Sequence, residues 1–218
     1  MSKLSRWHWL LQLLMFLFSS LTCLGQSTFT DPRDGRVYEV VKVNTLKVFN
    51  ENLRYVSADS YASTPKYAKK CTDGNFYNYT EIDSVCPVGT HLMTNLEWDL
   101  LFSLLARSQD IPYAAMNVDD NSELRHLFVM DTTEELDIFN SDLIDLSPNG
   151  WVQGRKIKNK KTLSLWVLDF NDPKMHVHIG PYSYQQHKHD HHIIDDPKRM
   201  RKFQVRCVLD DNTPFILE

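Results

Sequence analysis

A chain of 218 residues and 25.5 kDa, 42% of them hydrophobic, has room for one well-buried core and is too short for two generous ones. Its 24 basic and 28 acidic residues give a net charge of -4, and the basic residues are scattered along the sequence. That balance implies neither nucleic acid nor an anionic membrane surface as a partner.

The first residues differ in kind from the rest. Lys3 and Arg6 give a positive start, Leu10 to Leu21 is apolar except for Gln12 and two serines, and small residues, Cys23 and Gly25, stand where a signal peptidase reads. The pattern predicts a secretory signal over 1–25 and a single domain over 26–218 in an extracytoplasmic setting, secreted or in the cell envelope. The apolar run falls short of the roughly 20 residues a bilayer span needs, so no membrane span is expected after signal removal. A lipoprotein anchored through Cys23 is the alternative. Cleavage leaves Cys71, Cys86 and Cys207, an odd number that allows one bridge and one spare thiol. No zinc-finger spacing is present.

Along the mature chain, Gln26 to Arg36 is polar and turn-rich, with a tight-turn signal at Asp34-Gly35. The β-branched run Val37 to Val43 predicts a strand, and a second extended stretch follows near Leu46 to Phe49. Ser57 to Asn75 is polar, contains Pro65 and Asp73-Gly74, and predicts a surface loop carrying Cys71. Thr80 followed by Asp83 predicts a short helix that must end by Cys86, because Pro87 disfavours helical geometry in the residue before it. Thr94 followed by Glu97 is a capping box, and the apolar residues from Leu96 to Leu105 lie nearly all round the helix it starts. That helix is expected to be buried on more than one side. Between Asp110 and Leu146 the signals are weak, with helical spacing near Leu124 to Phe128 and at Glu134 to Phe139. Strands are predicted at Trp151-Val152, Leu163 to Phe170, Met175 to Ile179, in the histidine-rich stretch to Ile194, and at Phe203 to Leu209. In the last of these, alternation puts Cys207 on the core face.

The segments Asp31-Pro32-Arg33-Asp34-Gly35-Arg36-Val37-Tyr38, Glu51-Asn52-Leu53-Arg54-Tyr55, Cys86-Pro87-Val88-Gly89, Glu97-Trp98 and Val205-Arg206-Cys207-Val208 resemble, in order and spacing, the signatures of the Fibrobacter succinogenes major paralogous domain family. Phe49 stands where the family usually has tryptophan, and Gly89-Thr90-His91-Leu92-Met93 where it usually has Gly-Trp-His-Leu-Pro, so the chain resembles a divergent member. The family looks related to C-type-lectin-like domains. The resemblance therefore implies an α+β fold with two main helices and a twisted antiparallel sheet, stapled by one disulfide. It also implies that Cys86 pairs with Cys207, leaving Cys71 as the spare thiol. It implies fold and export more than activity.

The most unusual chemistry lies in His176-Val177-His178 and His187-Lys188-His189-Asp190-His191-His192. A hairpin that sets His178 opposite His187 would set His176 opposite His189, gathering four imidazoles on one face with opposed Cβ atoms about 5 Å apart. Imidazole suits zinc, copper or nickel, so His176, His178, His187 and His189 are candidate metal ligands in a structural or sequestering site. The plainer reading is the wet face of an antiparallel hairpin. Neither a calcium-lectin triplet nor a nucleophile with its base, a carboxylate pair in context or a phosphate-cradling loop is found, so no enzyme is expected. Asn78-Tyr79-Thr80 fits a glycosylation acceptor. The sequence thus points to a monomeric binding module for a glycan or a protein, recognised through loops between Asp110 and Gly154, with the histidine-rich metal protein as the alternative.

Overall fold

The computed structural model describes residues 27–108, 130–131, 144–168, 175–179, 183–188, 200–210 and 216–217. The signal-like segment and the weak helical patterns near Leu124 and Glu134 lie outside the described residues.

The described residues begin with strand β1 (Ser27–Thr30), where a turn-rich polar stretch was expected. Its β-branched threonines and Phe29 suit a pleated strand. The Ser27 hydroxyl donates to the Val40 carbonyl at 2.7 Å, so even the polar end is tied down. Strands β2 (Val37–Val43) and β3 (Leu46–Phe49) fall where the sequence puts them. Their register closes with Val43 opposite Leu46, a two-residue hairpin that needs positive φ, supplied by Asn44 at 56°. These strands join β13 (Ile216–Leu217), β12 (Cys207–Leu209) and β4 (Thr90–Leu92) in a six-stranded antiparallel sheet of order β13-β1-β2-β3-β12-β4.

Two further antiparallel sheets complete the fold. One is β5 (Met130–Asp131), β10 (Ser183–Lys188), β9 (Met175–Ile179) and β8 (Leu163–Val167), in that order. The other is β11 (Arg201–Lys202), β6 (Trp151–Gln153) and β7 (Lys156–Lys158). A single segment, 201–209, touches all three. Its start pairs with β6, Phe203 bridges Tyr77, Gln204 bridges Leu165 of β8, and its end pairs with β3 and β4.

The two helices are unequal. Helix α1 (Pro65–Ala68), preceded by a 3-10 turn at Tyr61–Ser63, lies in the stretch expected to be a surface loop. Helix α2 (Asn95–Ser108) is the one announced by the capping box. Thr94 Oγ1 accepts from the Glu97 amide at 3.2 Å, and the Glu97 carboxylate accepts from the Thr94 amide at 2.8 Å. Trp98, Leu101, Phe102 and Leu105 are buried among Val43 and Val48 of the six-stranded sheet and Leu163, Leu165, Val177 and Ile179 of the four-stranded one. Burial of each such side chain is worth about 1.5 to 3 kcal/mol. The helix is thus buried on more than one side, as expected, although Leu96 in its first turn is 64% exposed.

The helix expected after Thr80 does not form. Instead Asn78 Oδ1 accepts from the Thr80 amide and hydroxyl at 3.2 and 2.9 Å, and the Glu81 carboxylate accepts from the Asn78 amide. A short polar side chain that bonds its own backbone two residues on competes directly with helix formation. Ile82 and Val85 are thereby buried in a second core with Tyr38, Phe49, Tyr77, Trp166 and Phe203. Strand β8 alternates between the two cores: Leu163, Leu165 and Val167 face α2, whereas Trp166 faces Phe203.

Cys86 and Cys207 are joined, with Cα atoms 5.8 Å apart and a sequence separation of 121. Residues 203–209 alternate as expected, because Phe203, Val205, Cys207 and Leu209 all enter the second core. Their partners Gln204, Arg206 and Val208 are buried as well, so both sides of this strand are interior. No helix of the described residues is long and apolar enough to cross a membrane.

Candidate functional site

Most of the polar residues that drew notice in the sequence hold the frame together. Asp31 is fully buried and its carboxylate accepts from the amide and guanidinium of Arg33 at 2.7 to 2.9 Å. Burial works against its charge, but the Arg33 bonds prevail and lower the carboxyl below its ordinary range. Arg33 also donates to the Val85 carbonyl, next to the disulfide, and stacks over Tyr55 at 3.8 Å. Arg206, 1% exposed, donates to the carbonyls of Phe49, Asn50 and Asp145 and to Asn52 Oδ1. Burial pulls its guanidinium down to about 10, which leaves it charged at neutral pH.

The Arg206 network leads to a cleft. Asn52, held by Arg206, donates through Nδ2 to Gln204 Oε1 at 3.0 Å. That bond fixes which end of the Gln204 amide is which and turns Nε2 toward Gly74. Gln204 is 1% exposed, and its Nε2 has only a long 3.5 Å bond to the Asp73 carbonyl, so one of its two N–H groups remains available. A cleft of about 230 Å³ opens above it, lined by Lys70, Thr72, Asp73, Gly74, Asn149 and Lys160 among others. Gly74, at φ +131°, is required here: a Cβ would stand 2.9 Å from Gln204 Nε2 and 2.5 Å from Asn52 Cβ. The opposite wall depends on Gly150, at φ +70°, where a Cβ would stand 1.9 Å from the Lys158 carbonyl oxygen. Pro148 and Asn149 fall in the span expected to carry recognition loops; Gln204 and the residues near Lys70 do not. What sequence reading missed is that the floor comes from the last long strand segment.

The register brings two of the four candidate metal ligands opposite each other. The register sets His176 opposite His187 and His178 opposite Gln185, two positions away from the arrangement that would set His178 against His187. Pairing resumes as early as Tyr184, opposite Ile179, which leaves less chain for the connection than a His178–His187 pairing would. His178 is engaged elsewhere. Its Nδ1 lies 2.7 Å from the Ser164 hydroxyl, and its ring packs 5.1 Å from Trp151 and 5.3 Å from Phe203. His189 lies outside the described residues. Among the described residues no group of three His, Cys, Asp or Glu side chains is placed to hold a metal ion.

Another histidine bridges two carboxylates. His91 on β4 lies 2.7 Å through Nδ1 from Asp210 and 3.0 Å through Nε2 from Glu97. The Glu97 bond is the largest cause of a pKa raised to about 9, against the opposing effect of burial, and Asp210 adds to it. The capping carboxylate therefore clasps helix α2 to β4 and to the end of β12. The signal was present in the sequence as a capping box near a histidine, but nothing there indicated that one carboxylate serves both.

Two remaining candidates are structural. Asn78 is 8% exposed with its Oδ1 committed to the Thr80 turn, so the side-chain amide that would carry a glycan is buried in the folded chain. Cys71 is half-buried, and burial pushes its thiol up to about 11, leaving it protonated and a poor nucleophile at neutral pH. Comparison of the chain with protein-family models, curated proteins and solved structures finds no match.

Proposed function

We propose that this protein is an extracytoplasmic binding module, secreted or held at the cell surface, that recognises a glycan or a protein partner and performs no catalysis. In this reading it is a divergent member of the Fibrobacter succinogenes major paralogous domain family with a C-type-lectin-like fold. The disulfide supports the compartment, because such bonds persist where oxidants reach them. The five segments that carry the family resemblance occupy frame positions, around Asp31, Asn52, Cys86, Glu97 and Arg206.

The observation that carries the binding role is the cleft, a concave polar site with a buried amide donor on a rigid floor. Its lining offers hydrogen-bond donors and acceptors. The test is capture on glycan and surface-protein panels by the mature chain and by Thr72→Trp, which plugs the cleft from an exposed position. Ligand captured by the parent and lost by the variant supports the reading; equal capture places recognition elsewhere, and no capture on any panel overturns it.

One observation favours a second reading, a metal-binding protein. Directly opposed positions on neighbouring strands have Cβ atoms about 4.5 to 5.5 Å apart, and the register gives that relation to His176 and His187. Calorimetry with zinc, copper and nickel, repeated on His176→Ala/His187→Ala, decides it: heat abolished in the double variant supports metal binding.

A further inference from the structure

The basic residues that look scattered along the sequence are gathered by the fold. Helix α1 brings Lys66 and, just beyond it, Lys69 and Lys70; the β6–β7 hairpin and its exit bring Arg155, Lys156, Lys158, Lys160 and Lys161. The two pieces pack together, because Tyr67 and Cys71 lie in one small core with Tyr61, Phe76, Val152 and Ile157, and the Tyr61 hydroxyl donates to the Arg155 carbonyl at 3.1 Å. All eight cations are exposed. Residues 148–161 contain no acid, and residues 65–74 contain only Asp73, on a chain whose net charge is -4. Lys70 and Lys160 belong to both features, lining the cleft while standing among the other cations.

A run of lysines alone is ordinarily a solvated surface. Here it surrounds a concavity whose floor holds a buried amide donor. The cations supply long-range attraction for a polyanion, concentrated by their shared sign, and the cleft supplies short-range donors and acceptors: Gln204 Nε2, Asn149, Thr72 and the Asp73 carboxylate. Hydroxyl-rich rings bearing carboxylate or sulfate groups match both. Nucleic acid matches less well, because single-strand binding relies on aromatic platforms for the bases, and none of the exposed large hydrophobic residues among those described is aromatic. A membrane surface would call for apolar side chains beside the cations, whereas residues 154–161 offer only Ile157, which is half-buried in the small core.

Resting on the binding role proposed above, we infer that the ligand of this cleft is an acidic polysaccharide, with its anionic groups held by Lys70, Lys160 and the surrounding cations and a sugar hydroxyl or carbonyl oxygen accepting from Gln204. The test measures affinity of the mature chain for polygalacturonate, chondroitin sulfate, neutral dextran, a single-stranded oligonucleotide and anionic phospholipid vesicles. Binding to at least one acidic polysaccharide, at least about tenfold tighter than to dextran, is expected, with affinity falling as salt is raised. Lys70→Glu/Lys160→Glu is expected to weaken it by about tenfold or more. A control with the same change in charge on β2 and β3, Lys42→Glu/Lys47→Glu, is expected to change it by less than about twofold. Melting curves confirm that both variants fold. Equal loss in the control, or equal affinity for the oligonucleotide or vesicles, overturns the inference in favour of unspecific attraction. Binding to dextran or to a protein partner with no preference for the acidic polymers overturns the inference and leaves the binding role intact.

Discussion

Two regions of this molecule use polar residues in opposite ways. In the stapled frame, around β3, β12 and the Cys86–Cys207 bridge, polar groups face inward and are consumed: Asp31 by Arg33, and Arg206 by three carbonyls and Asn52. In the lobe formed by α1, β6 and β7, charges face outward, and the buried amide of Gln204 keeps donor capacity beside an open cleft. The same Asn52 side chain serves both, bonded to Arg206 on one side and Gln204 on the other. Satisfied polarity fixes a shape, and unsatisfied polarity supported by that shape is what a ligand can use.

If that division is right, damage to the frame costs stability, and damage to the lobe's exposed residues costs only binding. The largest effect is expected from Cys86→Ser/Cys207→Ser. Opening a loop of 121 residues removes about 4 to 5 kcal/mol on the chain-entropy model, readable as a lower urea midpoint. Arg206→Met comes next, at about 3 to 5 kcal/mol, because it takes the guanidinium donors from the buried Phe49 carbonyl and Asn52 Oδ1 and from the part-buried carbonyls of Asn50 and Asp145. Gly150→Ala is expected to cost about 2 to 3 kcal/mol, since its Cβ meets the Lys158 carbonyl at positive φ. It also deforms the cleft wall, so it is the one substitution in the lobe that affects both properties.

His91→Gln is smaller, about 1 to 2 kcal/mol, a figure already reduced for screening of a ring that is about one-third exposed. Its signature is pH dependence. The folded pKa is raised, so the contribution is full below about 6.5 and disappears as pH rises through about 9; the variant should lose that alkaline slope in stability. The smallest effect on stability, within about 0.5 kcal/mol, is expected for Lys70→Glu/Lys160→Glu, because both side chains are exposed.

Legibility in the sequence follows the same division. Strand β2, strand β9 and the capping box of α2 were readable because local pattern and tertiary environment agree there. The segment after Thr80 was misread because the Asn78 side chain takes both the amide and the hydroxyl of Thr80 in a tight turn. Strand β4 and helix α1 gave little signal, since three or four residues carry no period. For the cleft, Pro148 and Asn149 fell in the expected recognition span, yet the floor residue Gln204 read as one polar position in an alternating strand. Nothing local reveals that Lys70 and Lys160 meet across a cavity. The histidine register turned on the length of one connection, which periodicity does not fix.

Hydrogen exchange with and without saturating acidic polysaccharide tests the division most directly. The account predicts slowed exchange in residues 66–76 and 150–161, with residues 37–49 and 207–209 unchanged. Slowing confined to the six-stranded sheet, with the basic lobe exchanging as in the free protein, would contradict it.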